Sequence, residues 1–182
     1  MKKLQHLFFL FLILTPALFY GQKYSTRAGV LKFEASVPSF EEVAAENKST
    51  SAALDASNGD IAVLALMKGF RFKVALMEEH FNESYAETDK YPKATFKGKI
   101  EGLDVAKLTS EPRTFNISGD LTMHGKTKKI TDTAKVSISG SNIIITGDFQ
   151  VKPADFGIEV PKMVSKKVAE KVTITYNLSL TK

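Results

Sequence analysis

The sequence predicts an all-β chain: an antiparallel barrel or sandwich of about eight strands with two or three short helices. Three observations point there. Apolar and polar residues alternate at every second position in stretches from one end of the chain to the other, the pattern of strands with one buried face. Turn-forming residues separate these stretches. Between Leu76 and Tyr85 the period changes, and Leu76, Met77, His80, Phe81 and Tyr85 fall on one side of a helix.

The elements follow in order. Leu31, Phe33, Ala35 and Val37 alternate with Lys32, Glu34 and Ser36, a strand. Ser39-Phe40-Glu41-Glu42 has capping-box spacing and predicts a short helix over Phe40 to Ala45. Ser49 to Leu54 reads as a strand that ends at the turn-rich Asp55 to Asp60. Ile61 to Met67 is apolar on both faces, and its β-branched residues and flanking Gly59 and Gly69 favour a buried strand over a helix start. Phe70 and Phe72 alternate with Arg71 and Lys73. The helical stretch ends before Tyr91-Pro92, since the residue before a proline is pushed out of the helical region.

From Lys93 to Glu101 the alternation is near perfect, with Ala94, Phe96, Gly98 and Ile100 on one face and lysines on the other. Phe115, Ile117, Gly119, Leu121 and Met123 share the face of a further strand, and His124-Gly125-Lys126 reads as its turn. Ala134, Val136 and Ile138 predict a strand, Gly140-Ser141-Asn142 a hairpin loop, and Ile143 to Phe149 its return. After a loop with Pro153 and Pro161, Met163 to Glu170 reads as one or two helical turns. The last strand sets Val172, Ile174, Tyr176, Leu178 and Leu180 against a polar face.

The ends and composition bound the function. Lys2 and Lys3 precede an apolar run from Leu7 to Leu14 that stops at Thr15-Pro16. This is the layout of a secretory signal peptide over residues 1–21, too short to span a bilayer, with cleavage after Gly21 or after Ala17. An uncleaved anchor is the alternative. Residues 22–182 then form one domain of about 160 residues, placed in the periplasm or secreted. The formal charge of +5 falls to +3 once Lys2 and Lys3 are removed, and the lysines are spread over strand faces. That argues against a nucleic-acid partner. There is no cysteine, so stability rests on packing without a disulfide framework.

Catalytic signatures are sparse. His80 and His124 are the histidines of the mature chain, and no metal-ligand spacing accompanies them. No nucleophile elbow or phosphate-cradling glycine motif occurs. The reading is therefore neither an enzyme nor a metal or cofactor protein. Phe33, Phe70, Phe72, Phe96, Phe115 and Phe149 sit on predicted strands and suit either an ordinary core or the lining of an apolar cavity.

Several segments together resemble the YceI-like family of exported, lipocalin-like bacterial proteins, also called polyisoprenoid-binding. They are Arg27 to Ala35, Phe70-Arg71-Phe72, Leu76 to Glu83, Tyr91 to Gly98, Gly119 to Lys128, and Asp155-Phe156-Gly157-Ile158 with Pro161. The chain departs from the commoner family pattern at Asn47 to Asp60, and has Leu76-Met77-Glu78-Glu79 where many members carry an Arg-Asp pair. The resemblance implies an eight-stranded lipocalin-like barrel and, as partner, a long-chain isoprenoid lipid or quinone held in a tunnel. The expected lining is Phe33, Phe70, Phe72, Met77, Phe81, Phe96, Phe115, Leu121, Met123, Phe149 and Ile174. His80, His124 and Lys126, at element ends beside apolar faces, are the expected head-group contacts. No stable membrane insertion is expected, and a homodimer is left open. The competing reading is an exported stress or adaptor protein whose barrel core is closed and which acts through its surface.

Overall fold

The computed structural model describes residues 23–182; the expected signal peptide lies outside them. Among the described residues nine strands are present: β1 (Lys23–Ser36), β2 (Ala44–Asp55), β3 (Asp60–Leu66), β4 (Arg71–Phe72), β5 (Lys93–Ile100), β6 (Arg113–Met123), β7 (Lys126–Ser139), β8 (Asn142–Val151) and β9 (Val168–Leu180). Among the described residues there is one α-helix, α1 (Ala75–His80), which runs on into a π-type turn over Phe81–Tyr85. Single 3-10 turns cover Met67–Gly69, Val105–Lys107 and Pro153–Phe156.

All strand pairs are antiparallel, and β1 pairs with both β2 and β9. Eight strands therefore close in the order β1-β9-β8-β7-β6-β5-β3-β2, and β4 adds two residues against β2. The architecture is a barrel, not a sandwich. Closure leaves the backbone edges of β7 and β8 unpaired only where those two strands part, in the first half of β7 and the end of β8.

Three expectations are corrected. Phe40 to Ala45 is not a helix: Ala35 donates to the Val43 carbonyl (2.9 Å) and Val43 donates to Ser36 Oγ (2.9 Å), which makes a hairpin loop. A helix this short gains too few bonds to offset its nucleation cost. Met163 to Glu170 is not helical either. Residues 162–167 form turns in which Val164 and Ser165 donate to the Pro161 carbonyl, and β9 begins at Val168. Finally, β1 starts at Lys23, well before the alternation at Leu31, because bulges around Gly29 break its period.

The two ends of the barrel differ. At one end lie the β2–β3, β5–β6 and β7–β8 connections. There Leu54, Ile61, Ile100, Ala134, Val136, Ile143, Ile145, Leu178 and Leu180 make a fully packed core. The β5–β6 connection covers it with Leu103, Val105 and Leu108, and Asp104 caps the short turn by accepting from Ala106 N (3.1 Å). At the other end lie the β1–β2 loop, α1, the β6–β7 turn and the long β8–β9 connection. Here the interior is not filled.

The wall parts at two places on the open half. Pairing of β2 with β3 covers Ser51–Asp55 and pairing with β4 covers Ala45–Glu46, so a break falls between them. The fully buried Asn47 closes it: its Nδ2 donates to the Leu66 carbonyl (2.9 Å), and its Oδ1 accepts from Ser49 N (2.8 Å). The second parting is longer. β7 pairs with β8 only from Lys135↔Thr146 to Ser139↔Asn142, and beyond Thr146 the two strands separate.

Candidate ligand cavity

An apolar cavity of about 360 Å³ occupies the open half of the barrel. Its far end is lined by four phenylalanines that touch one another: Phe33 from β1, Phe70 and Phe72 from around β4, and Phe81 from the turn after α1. Phe33 stacks on Phe81 (centroids 5.5 Å, 26° between planes) and meets Phe70 and Phe72 at 5.7 and 5.4 Å. Phe70 and Phe72 lie 5.9 and 5.2 Å from Phe81. Tilted and edge-on pairs of this kind let the negative face of one ring meet the positive edge of another. Met77 of α1 joins the lining beside them.

The middle of the cavity is lined by Phe96, Leu121, Met123, Phe149 and Ile174, one residue each from β5, β8 and β9 and two from β6. Phe96 leaves room because its ring lies along the wall. Gly98 and Gly119 face each other across β5 and β6, and a Cβ on either would stand 2.7 Å from Phe96 Cζ. Two side-chain-free positions thus let the ring fold back over the backbone instead of crossing the interior.

The β8–β9 connection forms a strap across the opening. Ile158, Val160 and Val164 line the cavity, while Lys162, Met163 and Lys166 are exposed. At the rim, exposed His80 and Lys167 reach the lining. At the β7–β8 parting, Asp132 and Tyr176 do so. Burial first, and then the carboxylates of Asp132 and Asp148, push the Tyr176 hydroxyl from 10.0 up to about 12. It therefore stays protonated and available as a neutral donor.

The structure brings together ten of the eleven residues expected to line a tunnel. Phe115 is placed elsewhere: it packs against the filled core at the closed end, with the Arg113 guanidinium 5.8 Å from its ring. Of the expected head-group contacts, His80 is at the rim, but His124 and Lys126 do not line the cavity. His124 is a strut. Its Nε2 lies 2.8 Å from Glu87 Oε2, its Nδ1 lies 3.1 Å from the Phe156 carbonyl, and Tyr91 packs on its ring at 4.2 Å. It ties the segment after α1 to the strap. Lys126 lies along Gly157 at the base of that strap.

Lys167, Tyr176, Asp132 and the strap residues were missed by sequence reasoning. One signal existed for the parting: Gly147 interrupts the inward row Ile143, Ile145, Phe149 and Val151 of β8. For the strap, Ile158 and Val160 flanking Glu159 was the cue.

Comparison with known proteins agrees with this architecture. The barrel is similar to a polyisoprenoid binding domain from Saccharophagus degradans implicated in plant cell wall breakdown, with a TM-score of 0.74 and 17% identity over 87% of this chain and 97% of that one. It is similar to BcnA of Burkholderia cenocepacia, with a TM-score of 0.68 and 18% identity over 84% and 96%. The YceI protein of Campylobacter jejuni aligns with a TM-score of 0.56 and 18% identity over 73% and 82%. No curated protein sequence matches significantly. The model of the YceI-like domain matches residues 22–180, nearly the whole of the described chain, and the protein belongs to the YceI-like family.

Proposed function

We propose that this protein is an exported lipid carrier that holds one polyisoprenoid, or another long apolar chain, in the open half of its barrel. The observation that carries this reading is the apolar cavity of about 360 Å³ beneath the four-phenylalanine cluster, within the usual ligand-pocket range of roughly 300–1,000 Å³. A hydrocarbon chain gains about 0.8 kcal/mol for each methylene taken out of water, so such a lining binds without many polar contacts. The polyisoprenoid-binding character of the Saccharophagus degradans domain supports the same class of ligand. His80 and Lys167 at the rim are the groups positioned to meet a polar head, and a quinone tail or polyprenyl chain fits the apolar part equally well.

The polar side chains that reach the cavity are dispersed over separate elements. Among the described residues no three His, Asp or Glu side chains converge. This arrangement favours binding over catalysis. No helix among the described residues is long and apolar enough to cross a membrane.

Organic extraction of the purified protein followed by mass spectrometry tests the reading, with an isoprenoid expected at near one per chain. After delipidation, titration with a short soluble polyprenyl analogue should raise the melting temperature progressively, the added stability reaching about 2.7 kcal/mol at a hundredfold excess over Kd. A straight-chain fatty acid of similar length should do less, because methyl-studded isoprene units fill a phenylalanine-lined channel better. A flat response to both ligands, with nothing extracted, leaves the surface-adaptor reading in its place.

A further inference from the structure

The open end of the barrel divides into two electrostatic halves. Over residues 37–43 and 67–92, seven acids accompany four bases. Each of those bases is engaged: Lys68 with Asp89 and Arg71 with Glu78 at 2.6 Å, Lys73 with Glu42, and Lys90 with Glu87 at 3.8 Å. Over residues 126–129 and 152–171, eight lysines accompany three acids. Among the described residues, Lys152 alone of those eight makes an ion pair, with Glu170 at 2.7 Å. The second half is therefore a basic surface whose charge is not internally neutralised.

Apolar groups are exposed on the same end. Among the described residues the exposed large hydrophobic side chains are Phe40, Leu66, Leu76 and Met163. By topology all four lie at the open end, in the β1–β2 loop, at the end of β3, on α1 and on the strap. Met163 is the extreme case at 93% exposed, between Lys162 and Lys166 and with its strap neighbour Val164 in the cavity wall. Below the strap, a cleft flanked by Lys128, Lys129, Lys152 and Lys171 sits over the β7–β8 parting. Ile130 and Val151 line both that cleft and the inner cavity, so they stand between them.

We propose that this basic half of the open end docks on an anionic lipid bilayer, with Met163 entering the headgroup layer. An unneutralised lysine surface around an apolar tip is what an anionic interface attracts, since apolar burial and electrostatic attraction add. An acidic protein would satisfy the lysines but has no need of Met163 at the tip. The docking sets the strap and the β7–β8 parting against the source of apolar chains. It goes beyond the carrier reading and fails separately from it, because it is read without any isoprenoid.

The test is flotation of the 23–182 barrel, whose closed sheet and core lie wholly within those residues, with phosphatidylcholine vesicles with and without phosphatidylglycerol. Leaving out the apolar N-terminal run removes its own affinity for lipid. Binding should require phosphatidylglycerol and weaken at high salt. Each surface lysine contributes roughly fivefold, so Lys128→Gln, Lys129→Gln and Lys171→Gln together should weaken binding by about a hundredfold. Met163→Ser should weaken it as well. Lys68→Gln, Lys73→Gln and Lys90→Gln, an equal change of net charge on the other half, should leave it within about twofold. The proposal is overturned if the barrel ignores phosphatidylglycerol vesicles, if both triple variants lose binding equally, or if the barrel binds an acidic polypeptide resin but no vesicle.

Discussion

The ring of Tyr176 lies across Gly147 of the neighbouring strand, so close that a Cβ on Gly147 would stand 2.6 Å from its Cζ. This is where β8 leaves β7, one residue past the last pair at Thr146. An added methyl here meets an aromatic ring held by burial, so Gly147→Ala should destabilise the barrel by about 1–3 kcal/mol. Because the three nearest atoms all belong to Tyr176, the penalty should shrink by more than half in a Tyr176→Leu background. Chemical denaturation of the four proteins in the cycle measures this. An undiminished penalty would place the clash elsewhere.

The same tyrosine makes a pH prediction. Its hydroxyl is pushed from 10.0 up to about 12, by burial and then by Asp132 and Asp148. Between these values the unfolded chain has released the proton and the folded one retains it. Stability from this group is therefore complete below about pH 10 and falls as pH rises towards 12. Tyr176→Phe has no proton to lose, so its stability should decline less steeply across that window. Parallel unfolding curves for the two proteins would refute the buried-hydroxyl assignment.

The contrast between the ends of the barrel separates stability from binding. Ile145 is fully buried in the packed end, and Ile145→Ala should cost about 2–5 kcal/mol. Phe72 and Phe96 are half-buried and line the cavity, so truncation to Ala opens space that already exists. Their cost should fall below the roughly 3–5 kcal/mol of a tightly packed phenylalanine. The polyprenyl-induced rise in melting temperature should fall in both variants and persist in Ile145→Ala. A cost for Phe96→Ala as large as a core truncation would mean a filled interior.

His124 is expected to matter for stability and not for ligand specificity. Its side chain is 10% exposed and bonds two elements at once, Glu87 and the Phe156 carbonyl. His124→Ala leaves both partners without their contact and should cost about 1–3 kcal/mol. Proteolysis should then cut first in the strap or in the segment after α1, with polyprenyl discrimination unchanged. Loss of that discrimination in a folded variant would restore His124 to the binding groups.

Export is tested directly. The charged start and the apolar run to Leu14 predict that the mature protein begins near Gln22. N-terminal sequencing of material from the native host reads this. Recovery of the full-length chain in a membrane pellet would defeat it.

Alternation and turn chemistry alone determined that this is an antiparallel β protein, which faces look inward, and where most strands lie. They did so because a strand buried on one side must repeat every second residue. The family pattern carried by Tyr91 to Gly98 and Gly119 to Lys128 added the barrel. Where bulges break the period, as at Gly29, or where polar residues fill a strand with a missing neighbour, as in the first half of β7, the signal fades. Only the tertiary structure decided which inward residues meet an opposite wall and which face a void. Phe96 and Phe115 look alike in sequence and both pack against the closed-end core, yet only Phe96 also lines the cavity. The period reports the direction of a side chain, and the distance to the facing wall depends on closure, on the partings of the sheet and on side-chain-free positions such as Gly98, Gly119 and Gly147.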